Sequence, residues 1–222
     1  MGYVFSPSTL SLLDECERCF YLHFNKGIKR PASIFPSLPS GMDSLLKKHF
    51  DSYARKGGLP PELAELDGKA ELFGNMELLE EWRNPWKGLR WKDGNGNTLM
   101  GAIDNLLLIN GLHVVLDYKT RGYPIKDTTA SYYSQQLEIY AFLLSRLGYR
   151  TANYAYLLFY HPKAVQENGD FVFHHDLVKV SLDISNVERL LNRALDVLSH
   201  SMPEPSADCP YCSWRAKVDA VI

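Results

Sequence analysis

The dipeptide Asn110-Gly111 constrains the fold of this chain more than any other short segment. Both residue types tolerate the positive φ angles of a two-residue turn, and apolar runs lie on either side of the pair. The segment predicts an antiparallel hairpin in which Ile109 pairs with Leu112. Since each further pair moves one residue back on the first strand and one forward on the second, the turn fixes the register of the hairpin.

The predicted register places two carboxylates, Asp104 and Asp117, directly opposite each other. Lys119 lies two residues after Asp117 and therefore returns to the same face of the sheet. Because the neighbouring residues are apolar, two carboxylates are costly here unless positive charge lies between them. A cation such as Mg²⁺ or Mn²⁺ and one lysine meet that requirement. The alternative is a pair of ordinary carboxylates near the surface, with Lys119 as a salt-bridge partner.

The remaining periodicity predicts helices and strands around this hairpin. Predicted helices cover about 6–24, a segment opening with the capping box Ser40-Gly-Met-Asp43, about 76–82, 127–147 and 184–199; predicted strands cover 89–92, a run from Thr98, 153–160 and 171–182. On the second helix, His49 falls on the apolar stripe and is predicted to point toward the core. A hairpin followed by a helix and a buried strand predicts an α/β fold, with helices flanking a mixed β-sheet.

Length and composition limit the domain organisation and the classes of function. A chain of 222 residues with 45% apolar content can bury one sizeable core, so we expect one domain over 1–222. The formal net charge of −2 excludes a bulk basic surface, and any nucleic-acid binding must come from a local groove. The sequence has no signal-peptide or membrane-span pattern, which leads us to expect a cytoplasmic protein without membrane contact.

All four cysteines fall in two Cys-x-x-Cys pairs, Cys16/Cys19 and Cys209/Cys212. In a reducing compartment this pattern favours metal binding over disulfides, and four thiolates bind either zinc or an iron–sulfur cluster. The first pair has a second interpretation as small apolar residues on a helix face. We expect one metal site that joins the N-terminal helix (about 6–24) to the C-terminal segment (about 203–222) as an appendage of the domain.

The segment Gly101-Ala-Ile-Asp104, followed by Val115-Leu-Asp117-Tyr-Lys119-Thr, resembles the D…(D/E)-x-K core of the PD-(D/E)XK nucleases. The segment Ser134-Gln-Gln136-Leu-Glu-Ile-Tyr140 is similar to the Q-x-x-x-Y signature of the RecB-like branch, which includes the CRISPR-associated RecB-like exonucleases. The N-terminal segment Cys16-Glu-Arg-Cys-Phe-Tyr21 looks like the opening helix of that branch. The resemblance implies a restriction-endonuclease-like fold.

The resemblance also implies a Mg²⁺ or Mn²⁺ site and its ligands. Asp104 and Asp117 would bind the ion, the backbone carbonyl of Tyr118 would complete the protein ligands, and His49 would be a ligand contributed by a helix. A single histidine that faces a core is usually only hydrogen-bonded, which is the alternative for His49.

Three further residues receive catalytic roles from the resemblance. Lys119 would orient the attacking water or stabilise charge on the phosphoryl oxygens. Gln136 and Tyr140, one helical turn apart, would contact the nucleic-acid backbone or steady Lys119. From the pattern alone, Tyr140 is more often a core residue and Gln136 a surface residue.

Relatives with terminal cysteines often hold a 4Fe–4S cluster, using one N-terminal and three C-terminal cysteines. This chain has two and two, and the resemblance favours 4Fe–4S over zinc at Cys16, Cys19, Cys209 and Cys212.

The implied function is hydrolysis of phosphodiester bonds in DNA, in single strands or at duplex ends, by an exonuclease of repair, recombination or CRISPR-type processing. One alternative is a catalytically inactive nucleic-acid-binding or assembly module with the same fold. Another is an α/β enzyme unrelated to nucleic acid, which no motif in the chain supports.

Overall fold

The structure, a computed structural model, describes residues 2–221. The chain divides into two compact units, each described here by itself. The terminal unit comprises the described residues of Met1–Ile34, Lys92–Met100 and Ser185–Ile222, and the sheet unit comprises Phe35–Trp91 and Gly101–Ile184. Within residues 2–221, no helix combines the length and the apolar character needed to cross a membrane.

The elements are named in chain order. The strands are β1 (Val4–Phe5), β2 (Ala70–Leu72), β3 (Leu89–Lys92), β4 (Thr98–Gly101), β5 (Asn105–Ile109), β6 (Leu112–Thr120), β7 (Tyr154–Val165) and β8 (Phe171–Ser181). The helices are α1 (Pro7–Glu15), α2 (Glu17–Asn25), α3 (Ser37–Lys56), α4 (Met76–Arg83), α5 (Ser134–Arg146), α6 (Ser185–Ser199) and α7 (Pro210–Asp219). Two short 3₁₀ helices cover Pro61–Leu66 and Ala130–Tyr133.

The terminal unit contains a short parallel pairing of β1 with β4 and two consecutive helices near the N-terminus. Helix α1 begins at Pro7, because the Ser6 hydroxyl accepts from the Thr9 amide and the Thr9 hydroxyl accepts from the Ser6 amide. The single helix predicted over about 6–24 is interrupted at Cys16, whose extended backbone ends α1 and precedes α2. The rings of Phe5, Phe20 and Phe24 pack together beside these helices.

The sheet unit is built on a five-stranded sheet with the order β2-β5-β6-β7-β8. Strands β6 and β7 are parallel, and the other neighbouring strands are antiparallel. A parallel pair needs a crossover connection, and the segment between β6 and β7 contains α5. The predicted α/β fold, a mixed sheet with a hairpin and a crossover helix, is thus confirmed.

The two faces of β6 contact different helices, because alternate residues of a strand point to opposite sides of the sheet. Leu116 and Tyr118 belong to a core that includes Phe50 of α3. On the other face, Lys119 contacts Gln136 of α5. The core that includes Phe50 therefore lies on the α3 side, whereas Asp117 and Lys119 face the α5 side, where Leu137 and Phe159 are also buried.

Three elements differ from their predicted bounds. Helix α3 begins at Ser37, three residues before the predicted capping box, and has no side-chain cap. The helix predicted over 127–147 consists of a 3₁₀ turn followed by α5. The strand predicted from Thr98 divides into β4 and β5, because the Ile103 amide donates to the Trp82 carbonyl and leaves the strand ladder.

Candidate active site

The hairpin of β5 and β6 has the register that the turn predicts. Asn110 and Gly111 both have positive φ, 51° and 73°, and the five ladder pairs run from Ile109↔Leu112 to Asn105↔Leu116. Strand β5 begins at Asn105, so Asp104 lies one residue outside the ladder. The two carboxylates therefore meet where β5 starts, and not as an opposed pair within the sheet.

Three groups of the sheet unit hold Asp104 at this position. The Tyr118 amide donates to Asp104 Oδ2 at 2.9 Å, and Lys47 Nζ lies 3.0 Å from Asp104 Oδ1. Arg83 Nε donates to the backbone carbonyl of Asp104 at 2.7 Å, and its Nη1 donates to Asp51 at 2.9 Å. These bonds fix both the main chain and the side chain of Asp104 beside β6.

Asp117 is the buried carboxylate of the pair, with 2% of the residue exposed. Its Oδ2 lies 2.5 Å from Lys119 Nζ, yet this buried oxygen accepts no hydrogen bond of normal geometry. Burial first, and then the charge of Asp104, raise the pKa of Asp117 to about 7, against the opposing effects of Lys119 and Lys47. The buried Asp117 carboxylate is therefore costly to ionise even with Lys119 in contact.

Lys119 is positioned by side chains on and before α5. Its Nζ donates to Gln136 Oε1 at 3.0 Å and lies 4.7 Å from the centre of the Tyr133 ring. Gln136 Nε2 in turn donates to the Tyr140 hydroxyl at 2.8 Å. The structure thus joins Lys119, Gln136 and Tyr140, three of the predicted site residues, in one hydrogen-bonded chain.

Tyr140 lies against the strand residue Gly101. A Cβ at position 101 would lie 2.8 Å from Tyr140 Cε1, closer than carbon atoms approach, so only glycine leaves room for this ring. Burial, followed by the charges of Asp117 and Asp104, raises the pKa of Tyr140. Tyr140 therefore stays a neutral phenol beside the carboxylates.

His49 is not brought to the carboxylates. Its Nε2 lies 3.1 Å from Glu62 Oε1, and Glu62 also accepts from the Tyr160 hydroxyl at 3.0 Å. The reason is rotation about the α3 axis: His49 follows Lys47 by two residues, about 200° around the helix, and Lys47 is the residue that reaches Asp104. The predicted ligand is thus a partner of Glu62 on the other side of α3.

A charged face of α3 is the part of the site that sequence reasoning missed. Asp43, Lys47 and Asp51 recur every four residues, and Lys47 Nζ lies 2.8 Å from Asp43 Oδ2 as well as beside Asp104. Together with Arg83 and Arg55 they line a cavity of about 350 Å³. The four-residue spacing of the charges was the available signal.

The side chains around Asp117 fit a divalent cation. Two carboxylates converge there, and burial followed by the charge of Asp104 raises the pKa of Asp117 even though Lys119 contacts it. Hard oxygen donors of this kind are the ligands that Mg²⁺ and Mn²⁺ prefer. Asp104, Asp117 and the carbonyl of Tyr118 are the groups that could hold such an ion.

The four cysteines converge within the terminal unit. Cys19 Sγ lies 3.6 Å from Cys209 Sγ and 3.7 Å from Cys212 Sγ. Cys16 Sγ lies 3.9 Å from Cys212 Sγ. All four sulfurs lie within 4.8 Å of one another. Thiolates about 2.3 Å from one tetrahedral ion are about 3.8 Å apart, so this spacing fits a single metal ion.

One thiol of this group is already acidic. Burial raises the pKa of Cys16, but hydrogen bonds from Ser206 and from the Cys19 backbone outweigh burial and lower the pKa to about 6. Arg30 adds positive charge nearby, with Nη2 3.6 Å from Cys209 Sγ. The group therefore has the donors and part of the compensation that a thiolate metal site needs.

Comparison with known proteins supplies a family. A family model described as the PD-(D/E)XK nuclease superfamily matches residues 36–216. A solved structure described as the crystal structure of SSO0001 is similar over 100% of this chain and 88% of that chain, with 15% sequence identity and a TM-score of 0.45. No curated protein matches the chain.

Proposed function

Because the chain belongs to the PD-(D/E)XK nuclease superfamily, we propose that it is an active nuclease, dependent on Mg²⁺ or Mn²⁺, that hydrolyses phosphodiester bonds in DNA. One observation carries this proposal: the buried carboxylate of Asp117 contacts Lys119, and burial and the charge of Asp104 raise its pKa. A decayed site would not be expected to retain two carboxylates and a lysine at such a cost in folding energy.

The proposed ligands of the cation are Asp104, Asp117 and the Tyr118 carbonyl. The chemistry that the cation supplies is Lewis acidity, which polarises the phosphate and eases deprotonation of a water. Asp104 is fixed from both ends by Tyr118, Arg83 and Lys47. That rigidity serves catalysis, because donors held in place before the reaction need no reorganisation during it.

The proposed role of Lys119 is to orient the attacking water and to stabilise charge that develops on the phosphoryl oxygens. Its Nζ keeps a defined direction because it donates a hydrogen bond to Gln136 and lies over the Tyr133 ring. Gln136 is held by the Tyr140 hydroxyl. We therefore assign Gln136 and Tyr140 as positioning residues for Lys119.

We further propose a RecB-like exonuclease type, in DNA repair, recombination or CRISPR-type processing. The support is the Q-x-x-x-Y spacing of Gln136 and Tyr140, whose side chains form one hydrogen-bonded chain with Lys119. The two Cys-x-x-Cys pairs near the two ends of the sequence add to that resemblance.

The four cysteines are proposed to hold a metal centre that stabilises the terminal unit. The family resemblance favours a 4Fe–4S cluster, whereas sulfur distances of 3.6–3.9 Å favour one zinc ion. The thiolates of a 4Fe–4S cluster bind four different irons and therefore lie farther apart than thiolates that share one ion. Colour and metal analysis of anaerobically purified protein distinguish the two: brown protein with iron and sulfide, or colourless protein with one zinc.

End-labelled single-stranded and duplex DNA provides the test of the nuclease. Incubation with Mg²⁺ or Mn²⁺ should shorten the labelled strand from one end, and EDTA should stop the reaction. Cleavage of RNA instead of DNA would change the substrate class, and internal cuts would exclude the exonuclease assignment. Binding of DNA without cleavage, under every metal condition, would favour the alternative of a catalytically inactive nucleic-acid-binding module.

A further inference from the structure

A second group of metal-ligating side chains lies on the hairpin of β7 and β8 in the sheet unit. His161 of β7 is directly opposed to His174 of β8, and Asp176 lies two residues after His174. Opposed residues, and residues two apart on one strand, share a face of the sheet. The two imidazoles and the carboxylate are therefore on one face.

The ligand atoms of these residues converge. His161 Nε2 lies 3.4 Å from Asp176 Oδ2, and His174 Nε2 lies 3.4 Å from Asp176 Oδ1. One ligand atom from each of the three residues lies within 4.8 Å of the other two. The His161 side chain is only 9% exposed, whereas that of His174 is 46% exposed, so the group has a buried side and an open side.

The hydrogen bond of the other ring nitrogen sets the tautomer of His161. Its Nδ1 lies 3.1 Å from the Pro162 carbonyl. A carbonyl only accepts, so Nδ1 carries a proton and donates it. In the neutral ring, Nε2 then carries a lone pair, which is the arrangement found in metal-binding histidines whose other nitrogen donates to a backbone carbonyl.

This lone pair lies beside a carboxylate oxygen that is also an acceptor. Either a second proton makes His161 an imidazolium, or a cation lies between the two acceptors. A charge-assisted hydrogen bond measures about 2.7–2.9 Å, shorter than both 3.4 Å contacts. Nitrogen and oxygen ligands at about 2.0–2.2 Å from one tetrahedral ion lie about 3.4 Å apart, which matches both contacts.

We propose that His161 Nε2, His174 Nε2 and the Asp176 carboxylate bind a first-row transition-metal dication such as Zn²⁺. Two imidazoles and one carboxylate suit such an ion better than Mg²⁺, which prefers oxygen ligands and water. Three protein ligands leave at least one coordination position free, on the side of the exposed His174 ring. The site is separate from the proposed ligands Asp104 and Asp117 and goes beyond the proposed function.

The strand register relates this site to Lys119. Lys119 pairs with Phe159 across β6 and β7, and Phe159 pairs with Asp176 across β7 and β8. Paired residues point to the same side, so the cation would lie on the same face of the sheet as Lys119. Its free position is thus available to water or to a phosphate oxygen on that face.

Zinc binding tests the proposal, with His174→Gln as the principal variant. Glutamine keeps a donor toward Asp176 but lacks an imidazole lone pair. The matched control is His175→Gln, which alters the adjacent exposed histidine on the opposite face of β8. Parent and variants all keep the four cysteines, so zinc held by the thiols contributes equally and cancels.

Each protein is dialysed to equilibrium against Zn²⁺ with excess Mg²⁺, and bound zinc is measured by elemental analysis. The parent and His175→Gln should retain one zinc ion more than His174→Gln, whose affinity for that ion should fall about tenfold or more. An equal zinc content in the parent and His174→Gln would overturn the proposal. His161, His174 and Asp176 would then be only a group of ion-paired residues.

A second measurement follows the histidine ring resonances by NMR. Added Zn²⁺ should shift the signals of His161 and His174 in the parent and leave those of His175 unchanged. In Asp176→Asn, Zn²⁺ should not shift the signals of His161 or His174. If the His161 and His174 signals of the folded parent did not change on addition of Zn²⁺, the proposal would also be refuted.

Discussion

One carboxyl group near Lys119 and one thiol among the four cysteines have pKa values shifted in opposite directions. In the sheet unit, burial and the charge of Asp104 raise the pKa of Asp117 to about 7, although Lys119 contacts its carboxylate. In the terminal unit, hydrogen bonds from Ser206 and the Cys19 backbone lower the pKa of Cys16 to about 6. Under the proposed function, the raised pKa of Asp117 favours a cation at the catalytic site, and the lowered pKa of Cys16 supplies one thiolate to a metal site. Burial raises the pKa of Cys19 and of Cys212, so those two thiols need the ion itself to become thiolates.

Removing Lys119 should give the largest effect on the rate of cleavage. Lys119→Met should lower the rate of DNA cleavage by about 10²–10³-fold, because a preorganised charge at the reacting phosphate is lost. Labelled DNA in Mg²⁺ measures the rate, and circular dichroism checks the fold. Lys87→Met, at an exposed position before β3, is the control and should cleave like the parent. Full activity in Lys119→Met would place the active site elsewhere.

Removing one of the four thiols should lower the stability of the protein more than it lowers the rate of cleavage. Cys19→Ser should lower the free energy of unfolding by about 4 kcal/mol or more, because the energy of metal binding is also folding energy. Thermal denaturation and bound-metal content measure the change, and Ser213→Ala next to Cys212 is the control. If Cys19→Ser kept the parent's stability and metal content, the thiols would not share an ion.

Neutralising Asp117 sharpens the contrast, because it should slow cleavage and yet stabilise the protein. The pKa of about 7 lies above the ordinary value, so the folded state takes up a proton that the unfolded chain does not bind until lower pH. In EDTA, this proton uptake should therefore make the parent more stable, relative to Asp117→Asn, as the pH falls through 7. Asp117→Asn should lose this dependence and gain about 1–2 kcal/mol at pH 8.

Melting temperatures in EDTA across pH 5–8 measure this effect. Both proteins contain the same four cysteines, so any contribution of the thiols to the pH dependence cancels in the comparison. An Asp117→Asn variant that melts below the parent at every pH would show that Asp117 is fully compensated in the folded state.

The smallest expected effect tests the support of Lys119. Tyr140→Phe removes the hydroxyl that accepts from Gln136, at a cost near 1 kcal/mol, and should slow cleavage about fivefold. The loss should lie in kcat and leave KM unchanged, because the ground-state contacts of DNA are retained. Tyr132→Phe, at an exposed neighbouring position, is the control. A pure KM effect in Tyr140→Phe would indicate that Tyr140 contacts the DNA directly.

The sequence predicts best where the deciding contacts are local. The turn at Asn110-Gly111 sets the register of β5 and β6 through backbone angles alone. It does not reveal that β5 stops short of Asp104, because that break depends on a hydrogen bond from Ile103 to the distant Trp82. The register of the hairpin is therefore predictable from the sequence, and the end of the ladder is not.

The assignment of His49 depended on tertiary information that periodicity lacks. The apolar stripe of α3 shows which side of the helix is buried, but not which side of the sheet the helix covers. In the structure α3 packs on the face of Tyr118, and only its charged edge at Lys47 reaches Asp104. Recognition of the Asp43, Lys47 and Asp51 spacing would have identified that edge.

The separation of the paired thiols in the sequence has a consequence for the order of synthesis. Cys16 and Cys212 are 196 residues apart, whereas Asp104 and the Tyr118 amide are 14 residues apart. On the ribosome, the hairpin can form while much of the chain is still unmade, but the four-thiol site cannot close until Cys212 has emerged. A nascent chain therefore carries the proposed catalytic residues of the hairpin before the four cysteines can converge on their proposed metal site.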